Sequence, residues 1–184
     1  MTPEPGPSEE ALAMQPHETI EYILAEHQKH RAMCKALERL AAASEFDPAR
    51  VAALADFIRF DLTLHVIDEE EDFFPLLRAR CLPEDGIDAA LDQMTMEHAE
   101  DKTLSTRVRD VLNACLIERK APGDIEGGAE ALRTFAHHEM RHMTLENAVL
   151  VPLARRRLTS DDLSALGARF AARRRRLSAP AANT

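Results

Sequence analysis

One pattern occurs twice in this chain and constrains its fold more than any other feature. His65-Val-Ile-Asp-Glu69 is followed by Pro75-Leu76, and His142-Met-Thr-Leu-Glu146 is followed by Pro152-Leu153. Corresponding residues stand 77 positions apart throughout. Each copy is preceded by a Glu-His pair, Glu26-His27 and Glu97-His98, at an offset of 71. A His and a Glu four residues apart leave the same face of a helix, with Cβ atoms roughly 5–6 Å apart. Two imidazoles and a carboxylate per half, doubled, make six groups that are costly to bury unless something binds them. Metal binding is the reason to bury such a set.

The segments around these residues read as helices. Helix-compatible Ala, Leu, Glu and Arg dominate, Gly occurs only six times, and strand signals are nearly absent. A first helix opens near Pro16 and runs to about Ser44, with Ile20, Ile23, Leu24, Cys34, Leu37 and Leu40 as its apolar stripe and His27 within it. Asp47-Pro48 caps and starts a second, in which Val51, Leu54, Ile58 and Leu62 lead to His65 and Glu69. Pro75 is expected to end or kink it. Cys81 to Gly86 reads as a loop, and a third helix runs from about Ile87 to Arg119. After a second connection, Ala121 to Gly128, a fourth helix carries Leu132, Phe135, His142, Glu146 and Val149 on one face and meets Pro152. Thr159 and Asp162 form a capping box that opens a short helix from Ser160 to Leu177. The expected fold is all-α: an antiparallel, up-down-up-down four-helix bundle with a short C-terminal helix, its halves related by a pseudo-twofold axis. One domain over 16–177 is expected, flanked by disordered tails at 1–15 and 178–184.

Charge and cysteine content narrow the function classes. The net charge of −9 gives no general electrostatic attraction for nucleic acid. The N-terminus lacks the basic and apolar regions of a signal peptide, and no apolar run approaches the roughly 20 residues of a membrane span. Cys34, Cys81 and Cys115 are odd in number and contain no CxxC pair, which fits reduced thiols and a cytoplasmic location.

Four imidazoles with two carboxylates suit iron, with manganese or zinc as poorer substitutes. Zinc prefers four ligands in all, so six exceed one closed zinc site. Two metals use the whole set if each takes two histidines and both share Glu69 and Glu146. Helix bundles build metal sites from inward side chains, although the ferritin-like pattern is Glu-x-x-His and the order here is reversed.

At these residues the chain resembles the hemerythrin-like, or HHE cation-binding, family. Glu26-His27, His65 to Glu69 with Phe74-Pro75-Leu76, Glu97-His98, and His142 to Glu146 with Val151-Pro152-Leu153 carry the resemblance. It covers roughly residues 17–177 and implies a non-haem centre of two iron ions, oxo- or hydroxo-bridged. His27, His65, His98 and His142 would be terminal ligands, with Glu69 and Glu146 as bridges. The family's oxygen carriers have a fifth histidine one turn after the third-helix ligand, where this chain has Lys102. They also use an aspartate at five-residue spacing where Glu146 stands at four. The four-His, two-Glu set is similar to the subgroup of iron-centre repair and other redox or nitrosative-stress proteins. The resemblance implies binding of, or reaction with, dioxygen, peroxide or nitric oxide in a stress response or iron handling. The alternatives are an enzyme that disproportionates peroxide or reduces nitric oxide, and reversible oxygen storage. The expected partners are a small diatomic or peroxide ligand and an iron-acceptor protein, with no nucleic acid and no membrane.

Other residues are read individually. Asp61 and His138, one turn before His65 and His142, are candidates for orienting those imidazoles or moving protons. His30 and His137 are expected at the surface, and Glu70 and Glu71 on a solvated face. The Arg173–Arg176 run is explained by the helix dipole. Cys34 and Cys115 are expected in the core, and Tyr22 is given no role.

Overall fold

The computed structural model describes residues 16–178, so the tail expected at 1–15 and all but Ser178 of the tail expected at 178–184 lie outside it; Ser178 ends the last helix. Every regular element among the described residues is helical. Helix α1 spans Pro16–Ala41, three residues shorter than expected. Helix α2 is a continuous helical run over 48–80, α3 spans Ile87–Glu118, α4 is a run over 128–157, and α5 spans Ser160–Ser178. Helix α1 packs on α4 and α5, α2 on α3, and α3 on α4. No helix among the described residues is long and apolar enough to cross a membrane.

Local sequence explains the boundaries. The amide of Arg50 donates to the Asp47 carboxylate at 3.0 Å, with Pro48 at the first turn of α2. Gly86, at φ 62°, sits in the left-handed region that glycine adopts without strain, immediately before α3. Thr159 and Asp162 cap α5 reciprocally. The Asp162 amide donates to the threonine hydroxyl at 3.1 Å, and the Thr159 amide donates to the carboxylate at 3.0 Å.

Pro75 and Pro152 do not end their helices. Each follows one widened π-helical turn, Glu69–Phe73 in α2 and Glu146–Leu150 in α4. There the Phe74 amide reaches back to the Glu69 carbonyl, and the Val151 amide to that of Glu146. A proline inside an α-helix removes an amide and collides with the carbonyl four residues back; one extra residue in the turn relieves that collision. Both widened turns begin on the glutamate of the repeated motif. A further π turn, Ile58–Leu62, occurs in α2 alone, because α4 is regular over Gly128–Leu145.

The core is divided into two apolar clusters. One contains Leu37, Leu54, Leu112 and Phe135; the other contains Ile23, Phe74, Leu91, Ala154 and Phe170. On α1 the chain passes from the second cluster through Glu26, His27 and His30 into the first. On α2 it passes from the first through His65, Asp68 and Glu69 into the second, and α3 and α4 repeat these two directions in turn. A buried polar layer therefore lies between two apolar plugs. Each fully buried Leu or Phe contributes roughly 1.5–3 kcal/mol, which offsets the cost of that layer.

Candidate metal centre

The six residues of the repeat meet in this layer. His27, His65, His98, His142, Glu69 and Glu146 are all at most 7% exposed. Their Nε2 atoms face the two carboxylates. His65 Nε2 lies 3.2 Å from Glu69 Oε1, and His98 Nε2 3.2 Å from Glu69 Oε2. His27 Nε2 lies 3.3 Å from Glu146 Oε2, and His142 Nε2 3.7 Å from the same oxygen. Two overlapping groups have donor atoms mutually within 4.8 Å: His27, His65, Glu69 and Glu146, and Glu69, His98, His142 and Glu146. Both groups contain both glutamates, and each has two histidines. This arrangement fits a di-iron-type site.

Neighbouring side chains hold the imidazoles in one orientation. His27 Nδ1 donates to Asn147 Oδ1 at 3.0 Å, His98 Nδ1 to Glu70 Oε1 at 2.7 Å, and His142 Nδ1 to Glu97 Oε2 at 3.0 Å. With Nδ1 donating outward, Nε2 of each ring is directed inward, where its lone pair can bind a metal once that nitrogen is unprotonated. The pseudo-symmetry extends to this layer: Asn147 and Glu70 stand 77 positions apart, each directly after a motif glutamate. His65 is held by packing, edge-on to His30 at 4.4 Å and to His27 at 5.2 Å between ring centroids. The His98 ring stacks on Phe74, 5.5 Å away and nearly parallel.

The protonation pattern is that of a crowded site. Burial holds the His65 imidazole down to about 4, and it lowers His142. Burial also works against charge on His98, but contacts with Glu69 and Glu70 outweigh it and raise the group to about 9. Glu69 is held well below its ordinary range because the imidazoles of His65, His27 and His98 outweigh its burial. Burial and the neighbouring Glu69 push Glu146 well above that range. The two carboxylates are thus driven apart, Glu69 toward the charged form and Glu146 toward the protonated one. His27 Nε2, His65 Nε2 and all four carboxylate oxygens of Glu69 and Glu146 are buried without a hydrogen-bond partner among the described residues. Each such group costs about 1–3 kcal/mol, a cost that coordinated cations would remove. The donor set fits iron by number, type and orientation.

The chain matches the hemerythrin HHE cation-binding domain over residues 18–154, well over half its length. It belongs to the hemerythrin HHE family. Among curated protein sequences, none matches it.

Several individual expectations need correction. Asp61 is exposed, and no hydrogen bond or ion pair ties it to His65. His138 is buried, but its contacts are with Asp101 at 3.3 Å and Arg141 at 3.1 Å rather than with His142. His30 is fully buried, with both ring nitrogens unpartnered among the described residues. Its position three residues after His27 and four before Cys34 is the signal that places it on the inner stripe of α1. Glu70 is not simply solvated, because it fixes His98. The arginine run also does more than complement a dipole. Arg173 pairs with Asp68, Asp72 and Glu71, and Arg174 with Asp68 at 2.5 Å and Glu26 at 3.6 Å. Helix α5 thereby clasps the acidic residues flanking Glu69 and His27. The Arg174 guanidinium also lies 4.9 Å over the Tyr22 ring. Cys34 and Cys115 are buried.

Proposed function

We propose that this chain is a non-haem di-iron protein. His27 and His65 serve one iron, His98 and His142 the other, and Glu69 and Glu146 are shared by both. The observation that carries the reading is the convergence of four inward Nε2 atoms on two buried glutamates whose oxygens have no other partner. The alternating passage of the chain between the two apolar clusters supports an up-down-up-down antiparallel arrangement of α1 to α4. Iron bound here supplies redox chemistry towards a small ligand such as dioxygen, peroxide or nitric oxide. The protein's part is to hold the donors, with Asn147, Glu70 and Glu97 fixing the imidazoles and the two apolar plugs restricting water.

A role in oxidative or nitrosative stress or iron handling accords with this reading. Lys102 occupies the position of the oxygen carriers' fifth histidine, and it favours reaction or iron handling over oxygen storage. Two measurements test the proposal. His65→Ala with His142→Ala removes one ligand from each iron, and iron content should fall to background; retention of iron would overturn the site. Stopped-flow mixing of the iron-loaded protein with peroxide or nitric oxide then separates the roles. Many turnovers identify an enzyme. A single-turnover ferric absorption change, followed by iron transfer to an apo acceptor, identifies an iron-handling protein.

A further inference from the structure

A cavity of about 310 Å³ opens between α2 and α3 and reaches the edge of the candidate metal centre. Ligand pockets begin at roughly 300 Å³, whereas a single water occupies about 30 Å³ of liquid, so this space exceeds what a diatomic molecule needs. Its deep end is formed by Ile58, Leu62, His98 and Asp101, all buried. At its rim stand Thr63, Lys102, Thr106 and Arg109, all exposed. Between them, half-buried Val66 and Ile67 face Ser105. The α2 side of the cavity is thus mostly apolar, and the α3 side is polar and cationic.

The sequence accounts for both walls. His98, Lys102, Ser105 or Thr106, and Arg109 recur at three- and four-residue steps and so form one stripe of α3. On α2 the cavity begins beside Ile58–Leu62, the π turn that the second half of the molecule lacks. Such turns displace the helix surface locally and concentrate at functional sites. No ion pair involves Lys102 or Arg109 among the described residues, although the chain carries a net charge of −9. The Thr106 and Ser105 hydroxyls donate to the Lys102 carbonyl at 2.7 and 3.3 Å, which fixes their oxygens along the wall.

We propose that this cavity binds a small amphipathic organic anion, its carboxylate held at the rim by Lys102 and Arg109 and its apolar body directed inward to His98. The Asp101 carboxyl at the deep end disfavours an anionic head there, and Ile58 and Leu62 offer the body an apolar seat. Charge at the rim and hydrocarbon within fix the orientation. The inference goes beyond the di-iron reading and does not require iron to be bound.

Hexanoate is the probe, with hexan-1-ol and acetate as controls. Calorimetry on iron-loaded and chelator-treated protein should show saturable hexanoate binding in both forms. Each control should bind at least about tenfold more weakly, as expected when a charge-assisted contact or the buried chain is removed. Lys102→Glu with Arg109→Glu should weaken hexanoate by about tenfold or more, and Ser105→Phe should abolish binding by filling the cavity. Where the charge-reversed variant fails to fold, Lys102→Gln with Arg109→Gln replaces it. In chelator-treated protein, hexanoate should shift the imidazole NMR signals of His98. Absence of saturable binding, equal binding of hexan-1-ol, unaffected variants or an unmoved His98 signal would overturn the proposal. Iron content, measured separately, reports on the metal centre alone.

Discussion

At the scale of single residues, the site depends on groups that touch no metal position themselves. Glu70 accepts a hydrogen bond from His98 Nδ1, whereas its neighbour Glu71 is exposed and pairs with Arg173. Glu70→Ala should lower iron affinity roughly 10–100-fold, the usual loss when a hydrogen-bond partner of a ligating histidine is removed. Glu71→Ala should leave it unchanged, and competition with a chelator measures both. The shifted groups also set the direction of a pH effect. His98 is raised to about 9, so it holds a proton at neutral pH, and Glu146 is shifted in the same proton-retaining direction. Iron must displace protons held there, so its affinity rises with pH and falls as the solution is acidified. Adding iron(II) anaerobically to weakly buffered metal-free protein at pH 7 should release at least about one proton per chain, the one His98 holds. Zero release would contradict the assigned protonation. The six-residue motif was legible because i, i+4 spacing and an exact repeat need no tertiary information. Glu70 and Asn147 were not, since each acts across to another helix, on His98 and His27.

At the scale of elements, helix starts were legible and helix interiors less so. Asp47-Pro48 and Thr159-Asp162 act within one turn, and both caps form as local chemistry predicts. Pro75 does not end α2, because proline is a stop signal only in a regular α-helix. A π turn admits it, and nothing in local propensity announces that turn. The arginines of α5 were ambiguous for the same reason: their partners, Asp68 and Asp72, lie about a hundred residues away. Burial drives the Asp68 carboxyl upward despite the guanidinium groups of Arg174 and Arg173. Arg173→Ala with Arg174→Ala would leave Asp68 buried without its cations. That change should cost about 3 kcal/mol, measured by urea unfolding of the metal-free protein. Asp68→Asn in the same background should recover part of the loss. No recovery would show that the arginines act through other contacts.

At the scale of the whole molecule, two apolar plugs hold a layer that is unfavourable by itself. The buried atoms without partners among His27, His65, Glu69 and Glu146 destabilise the metal-free state, so metal binding and folding are coupled. Iron at a free concentration 100 times its dissociation constant should stabilise the fold by about 2.7 kcal/mol, seen as a rise in Tm that a strong chelator reverses. The helical class and family were legible from composition and the repeat. The cavity between α2 and α3 was not, because it depends on a π turn present in one half only. In the proposed site both histidine pairs hold iron at once, sharing Glu69 and Glu146. Anaerobic iron(II) titration with metal analysis of the desalted protein tests it most directly. The expected breakpoint lies at two irons per chain and is lost in the His65→Ala, His142→Ala variant. A breakpoint at one, or iron content near zero, would contradict it.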